Sequence, residues 1–121
     1  MNIFINHTDH PPKLWGEEQL VTAGEYGNIV DLEFPVIDLS MDTAAVNELA
    51  RDTSEFIKKV SPVAVLCQWE SVYVFHLVTM LKAAGIKVLA ACSERKVKES
   101  RREDGAVEKV SEFVFAGFRE Y

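Results

Sequence analysis

Three short stretches of this chain group side chains able to do chemistry. Asn6-His7-Thr8 closes a first apolar run, Gln68-Trp69-Glu70 follows a second, and Ser93-Glu94-Arg95-Lys96 follows a third. Arg95 offers phosphate a two-pronged contact and Lys96 a point charge. A surface salt bridge is the plainer use of Arg95. Ser93 has a hydroxyl for a phosphate oxygen, or for capping its own turn. Gln68 suits an adenine edge or a ribose, and equally suits buried backbone groups at a strand end. Glu70 either caps the following helix or orients a hydroxyl. His7 has a near-neutral intrinsic pKa and fits a proton carrier; a plain loop histidine is the alternative. Asp9, His7 and His10 share one proline-rich loop. Three residues on such a loop rarely converge on an ion without a fourth ligand, so no metal site is assigned.

These stretches need a scaffold that brings them together. Val63–Cys67 and Val88–Cys92 are apolar runs on either side of a helix-length segment. That is the pattern of a parallel βαβ unit with both strands buried. Open α/β sheets bind ligands beyond the carboxyl ends of their strands, where all three polar stretches would then lie.

Residues 2–6 read as a central strand, ended by the Pro11-Pro12 pair. Gly16 starts a first helix that closes near Tyr26-Gly27, with Gly27 as a left-handed stop. Asn28–Leu32 is a second strand. The loop from Glu33 to Asp42 contains Phe34, Val36, Ile37 and Leu39, so it lies against the body or a partner. Asp42 or Thr43 caps a second helix reaching Val60, with Val46, Leu49, Ala50, Phe56, Ile57 and Val60 on its apolar side. A third helix, from Ser71 to Gly85, is apolar nearly all round, so a second buried side in a dimer interface is expected. Beyond Ser93 the helical period stops. Two extended arms, Lys96 to Arg102 and Ala106 to Arg119, flank the turn signal Arg102-Glu103-Asp104-Gly105.

The expected fold is a small α/β, Rossmann-like three-layer sandwich. It has a mostly parallel sheet, helices on both faces and a C-terminal antiparallel hairpin. Residues 1–121 form one domain, with a β-α-β-α-β-α-β core at 1–92 and a hairpin extension at 93–121. No Gly-rich dinucleotide fingerprint or phosphate loop occurs, which removes support for a nicotinamide or ATP enzyme.

Composition narrows the partners. Of 121 residues 48% are apolar, enough for a core, and the net charge of −6 argues against a duplex-DNA binder. Five of the thirteen basic residues nevertheless fall between Arg95 and Arg102, a local patch suited to a small anion. No run approaches the roughly 20 apolar residues of a membrane span, and the start does not read as a signal peptide. Cys67 and Cys92 have no metal-like spacing. They read as free buried thiols of a reducing, cytoplasmic compartment.

The strand-end residues also carry a likeness. Asn6-His7-Thr8, Val-Leu-Cys-Gln-Trp-Glu, Ala-Ala-Cys-Ser-Glu-Arg-Lys-Val and the closing Phe-Arg-Glu-Tyr together resemble small CRISPR-associated proteins of type III systems related to the ring nucleases. Those proteins resemble the CARF domain, a dimeric Rossmann-like sensor of cyclic oligoadenylates. The resemblance implies a homodimer with one symmetric cleft holding cyclic tetra-adenylate, with its symmetry matched to the dimer axis. It implies ring opening without metal or cofactor, by attack of a ribose 2′-hydroxyl on its own 3′-phosphate. A non-catalytic sensor or sponge, or a purely structural α/β interaction domain, is the alternative. On the enzyme reading His7, Arg95 and Lys96 carry the chemistry, while Asn6, Thr8, Gln68, Trp69, Glu70 and Ser93 hold the ring. One position departs from the pattern: Trp69 stands where glycine is expected. An indole there fills the space or offers a base a stacking plate.

Overall fold

The computed structural model describes residues 1–121. Five strands form one sheet in the order β2-β1-β3-β4-β5. They are β1 (Ile3–His7), β2 (Asn28–Asp31), β3 (Ala64–Cys67), β4 (Val88–Arg101) and β5 (Val107–Glu120). The first four run parallel, and β4 and β5 pair antiparallel. Three helices connect them: α1 (Glu17–Gly24), α2 (Thr43–Val60) and α3 (Ser71–Ala83). The expected α/β class, the parallel sheet and the terminal hairpin are all present.

Strand alternation sends neighbouring side chains to opposite faces. Ile5, Val65, Cys67 and Val88 therefore face α2 and α3, whose Val46, Ala50, Ile57, Tyr73, Leu77 and Leu81 complete the larger apolar cluster. Phe4, Ala64, Leu66 and Leu89 face the other way and pack with Trp15 and Ala23 of the α1 side. Asp42 caps α2 by accepting the Ala45 N–H at 2.8 Å, and Ser61 ends it at φ 55°. Phe56, expected on the apolar side of α2, is instead exposed. In the loop after β2, Phe34 and Ile37 pack on the larger cluster, while Val36 and Leu39 point outward.

Two local readings change. Helix α1 stops at Gly24, and Gly27 is not its left-handed cap. Gly27 is required for another reason: a Cβ there would sit 2.5 Å from the Asn2 carbonyl oxygen, where the chain enters β2 alongside β1. The hairpin expected from residue 93, moreover, continues strand β4 itself. Strand β4 runs unbroken from Val88 to Arg101, but it meets β3 only at Val88 and Leu89. Its remaining residues have β5 as their sole strand neighbour. At about 3.3 Å per residue, the part of β4 beyond Ala90 extends roughly 35 Å past the parallel strand ends. The end of β5 returns to the body: Phe118 packs beside Phe4, and the Tyr121 N–H bonds to the Val88 carbonyl. A bulge at Cys92/Ser93, where Gly117 opposes Cys92 with φ 141°, separates this rooted part from the free arm.

No helix is long and apolar enough to cross a membrane.

Candidate functional site

In a sheet ordered β2-β1-β3-β4, the chain leaves β1 toward one side and later returns to its other side. The crevice above β1 and β3 is thus the topological switch point, the usual ligand position in this architecture. Two hollows open there, of about 960 and 800 Å³, with Thr8, Asp9 and Trp69 common to both. A third, of about 480 Å³, lies on the α3 side between Trp69, Phe75 and Tyr121. Trp69 borders all three.

Trp69 is also the conformational exception. Its φ is 141°, in the region that favours glycine, and its side chain is 66% exposed. Holding a bulky residue there costs of order 1–3 kcal/mol. Its neighbours bracket it. Gln68 on one side and Glu70 on the other are both fixed by hydrogen bonds, and the backbone must turn between them.

Gln68 acts as a substitute for missing strand. β3 ends at Cys67, and the Gln68 side chain accepts the Ala91 N–H at 2.8 Å and donates to the Ala91 carbonyl at 3.4 Å. On the other side Tyr121 donates its hydroxyl to the Cys67 carbonyl at 2.7 Å. Burial pushes the Tyr121 phenol pKa up. Glu70 caps α3, accepting the N–H of Tyr73 at 2.8 Å and of Val72 at 3.4 Å. Both residues serve the backbone, and both still border the hollows.

Asn6 and Thr8 build the loop rather than face a ligand. Asn6 is 0% exposed. Its amide nitrogen donates to Asp31 Oδ1 at 2.9 Å and to the His10 carbonyl at 3.2 Å, and its oxygen accepts from the Thr8 hydroxyl at 3.0 Å. The Trp15 indole N–H reaches the same His10 carbonyl at 3.0 Å. The loop is thereby clamped with Asp9 and His10 turned to solvent.

The imidazole of His7 is displaced from its expected role. His7 is 1% exposed, covered by Phe34 at 5.1 Å between ring centres, and borders none of the three hollows. Nδ1 lies 2.8 Å from the Leu32 carbonyl, and Nε2 lies 2.7 Å from the Tyr73 hydroxyl. A carbonyl only accepts, so Nδ1 carries a proton; the hydroxyl then supplies the bond to Nε2 in the neutral ring. Burial lowers the His7 pKa against opposing effects of the Leu32 bond and Asp31. Burial likewise pushes the Tyr73 phenol up to about 12 and the Cys67 thiol up to about 12, which makes both inert near neutrality. His7 is a structural histidine in a closed network, with no path to a bound ring.

Arg95 and Lys96 do not join the crevice either. Both lie on the arm and border none of the three hollows, although their strand partners Phe113 and Glu112 line the second. Adjacent residues of a strand face opposite ways, so the two cannot together grip one phosphate lying on the sheet. Arg95 donates to Ser111 at 3.0 Å. Of the third stretch, Ser93 alone borders a hollow, beside Phe115 and Ala91. Asn6, Gln68 and Arg95 do not converge within one chain.

The crevice gains residues that sequence reasoning passed over. His10, weighed in the sequence as a metal ligand, is exposed and borders the second hollow, and Lys13 borders the first. The clamp on the His10 carbonyl positions both, and it is invisible without coordinates. Charge is the other surprise. The first hollow has Asp9, Asp31, Glu33 and Glu70 against Lys13 alone; the second has Asp9, Glu17, Glu18 and Glu112 and no lysine or arginine. A single chain therefore offers an indole plate, hydroxyls and an exposed imidazole inside an acidic rim.

No curated protein matches the chain. A family model described as "Uncharacterized protein MJ1673 family" matches residues 2–119, from the first strand through the return of β5, and the chain belongs to that family.

Proposed function

We propose that this protein is a cytoplasmic, CRISPR-associated ring nuclease. It binds a cyclic oligoadenylate, cyclic tetra-adenylate first, over the strand ends of a homodimer and opens it without metal. The observation that carries this reading is Trp69: an exposed indole held at a costly backbone angle, bordering both hollows at the switch point and a third on the α3 side. Strain of this kind persists at ligand sites, where it presents a group the fold alone does not need. An adenine stacked on an exposed indole gains about 1–3 kcal/mol.

The chemistry asks little of the protein. The ribose 2′-oxygen forms a bond to phosphorus, the bond from phosphorus to the 5′-oxygen breaks, and the 2′ proton leaves while the 5′-oxygen gains one. The products are a linear oligomer with a cyclic 2′,3′-phosphate. In-line placement of the 2′-oxygen supplies most of the acceleration. Ser93 borders the second hollow with a hydroxyl. His10 takes the proton-carrying role assigned to His7 in the sequence reading, a contribution of about 10²–10⁴-fold.

A sensor or sponge that binds the ring and leaves it intact is the second reading. The sealed His7 favours it, because the residue first expected to move a proton is unavailable. One assay separates the two. Labelled cyclic tetra-adenylate is incubated with excess protein in chelator and resolved on a denaturing gel. Linear products with cyclic phosphate ends support the enzyme, and a shifted but intact ring supports the sensor. No binding or cleavage of any ring size removes both.

A further inference from the structure

The arm is the part of the molecule that the body does not explain. An isolated two-stranded ribbon is marginal in water. This one has its two faces unequally dressed. Residues opposite each other in an antiparallel pair share a face. The pairs Arg95–Phe113, Val97–Ser111, Glu99–Lys109 and Arg101–Val107 therefore fall on one side. That side has three cations, Arg95, Arg101 and Lys109, against the single carboxylate of Glu99. Its apolar members Val97, Val107 and Phe113 are all exposed, Phe113 at 76%. None of its three cations is paired with a carboxylate; the arm's ion pairs, Lys98–Glu112 and Arg102–Glu108, lie on the opposite side. The crevice has the complementary defect: apart from Glu112 of the arm itself, its carboxylates Asp9, Glu17, Glu18, Asp31, Glu33 and Glu70 belong to the body, and Lys13 is its only lysine or arginine. The arm rises from the same edge of the sheet as the crevice, and its roughly 35 Å reach exceeds the ~24 Å width of a five-stranded sheet.

We propose that the arm of a second copy of this chain lies across each crevice, in a two-fold exchange that places Arg95, Arg101 and Lys109 of one chain over the Trp69 crevice of the other. Its ligand consequence rests on the cyclic oligoadenylate reading; the exchange itself does not. Phe113 and Val97 bury against the partner's body, and an arm net positive on this face meets the acidic rim. A bound polyanion then has cations above it and the indole below. The crevice of one chain is incomplete alone, because its phosphate-binding groups belong to the other chain.

Two measurements test it. Sedimentation gives the mass of the wild type and of the Val97→Glu/Phe113→Glu variant, whose changes are confined to exposed positions. A second variant, with residues 95–113 replaced by Asn-Gly, guards against misfolding of the first, and circular dichroism checks both. A wild-type dimer and monomeric variants are expected. A monomeric wild type, or arm variants that remain dimers, overturns the exchange whatever the ligand. The second measurement is complementation. Trp69→Ala protein and Arg95→Ala/Arg101→Ala/Lys109→Ala protein each bind cyclic tetra-adenylate at least tenfold more weakly than wild type. Random mixing restores about a quarter of the sites, because one crevice of each mixed pair regains an intact indole and an intact arm. Mixed dimers with no restored binding show that arms act on their own crevice and overturn the proposal. If the wild type forms arm-dependent dimers but binds no ring, the ligand reading falls and the exchange stands.

Discussion

The body and the arm use the same kinds of residue in opposite ways. In the body, nearly every polar side chain near the strand ends is bound to backbone or to another side chain. Gln68 continues a strand, Glu70 caps a helix, Asn6 and Thr8 clamp a loop, and His7 links Leu32 to Tyr73. On the arm, Arg95, Arg101 and Lys109 have no carboxylate partner, and Val97, Val107 and Phe113 have no apolar cover. The difference teaches that a polar residue at a strand end is not automatically available to a ligand. In a domain this small, the end of each strand leaves backbone groups that must be satisfied, and the nearest amide or carboxylate is drawn into that work. Trp69 is the exception within the body, exposed and strained together.

The contrast predicts unequal sensitivity to substitution. Leu77→Ala, in the wall between α2 and α3, costs about 3 kcal/mol in urea unfolding. Val110→Ala, on the arm face away from the proposed contact, costs less than about 0.5 kcal/mol. Equal costs would mean that the arm is built into the core. Tyr73→Phe removes the partner of His7 Nε2 and costs about 1–3 kcal/mol, although its ring packing is unchanged. A neutral result would show that the network is dispensable.

The His7 network also sets a pH window. Its pKa is lowered on folding from an ordinary value of 6.5. Above that value both folded and unfolded states hold a neutral ring, and its full contribution is present. As pH falls below about 6.5 the unfolded state takes up the proton first, and stability drops by up to about 1.4 kcal/mol per pH unit. His7→Gln flattens this part of the profile. A wild-type profile already flat between pH 6.5 and 5 would contradict the burial of a neutral ring.

Trp69→Gly sharpens the comparison from the other side. Glycine adopts the φ of this position freely, so relief of strain offsets its extra unfolded-state freedom, and stability rises by about 1 kcal/mol or stays level. Ring binding meanwhile falls at least tenfold, in line with the loss of one stacked base. A variant that loses stability instead would make the indole a structural residue. The smallest effect expected is that of Lys98→Ala. It breaks an exposed ion pair with Glu112 on the arm and shifts stability by less than about 0.5 kcal/mol.

The alternation and period of apolar residues made the fold legible. β1, β3, α2, α3 and the terminal hairpin stand within a residue or two of where the apolar run at 2–6, Val63–Cys67, the Asp42 cap, the all-apolar helix and the Asp-Gly turn put them. Gly27 was misread because a glycine after a helix suggests a cap, whereas its constraint comes from Asn2, twenty-five positions away in the chain. The site was half legible. The strand ends as the place to look follow from the βαβ pattern, and Trp69 stood out only through the resemblance, where glycine is expected; its backbone angle of 141° came from the structure. The depth of His7 does not, since Phe34 covers it from a loop whose path no local pattern defines. The placement of Arg95 on the arm depended on β4 running past the sheet, which composition alone does not distinguish from a turn after Cys92.

The most direct test uses the two indoles as reporters. Trp15 is buried at 7% exposure and Trp69 is open to solvent at 66%. Cyclic tetra-adenylate is titrated into the protein in chelator while tryptophan emission is followed, with Trp69→Phe as the control. The account predicts a saturable quench in the wild type that is absent in Trp69→Phe. A wild type whose emission never changes as the ring is added, or a quench that survives Trp69→Phe, would contradict it.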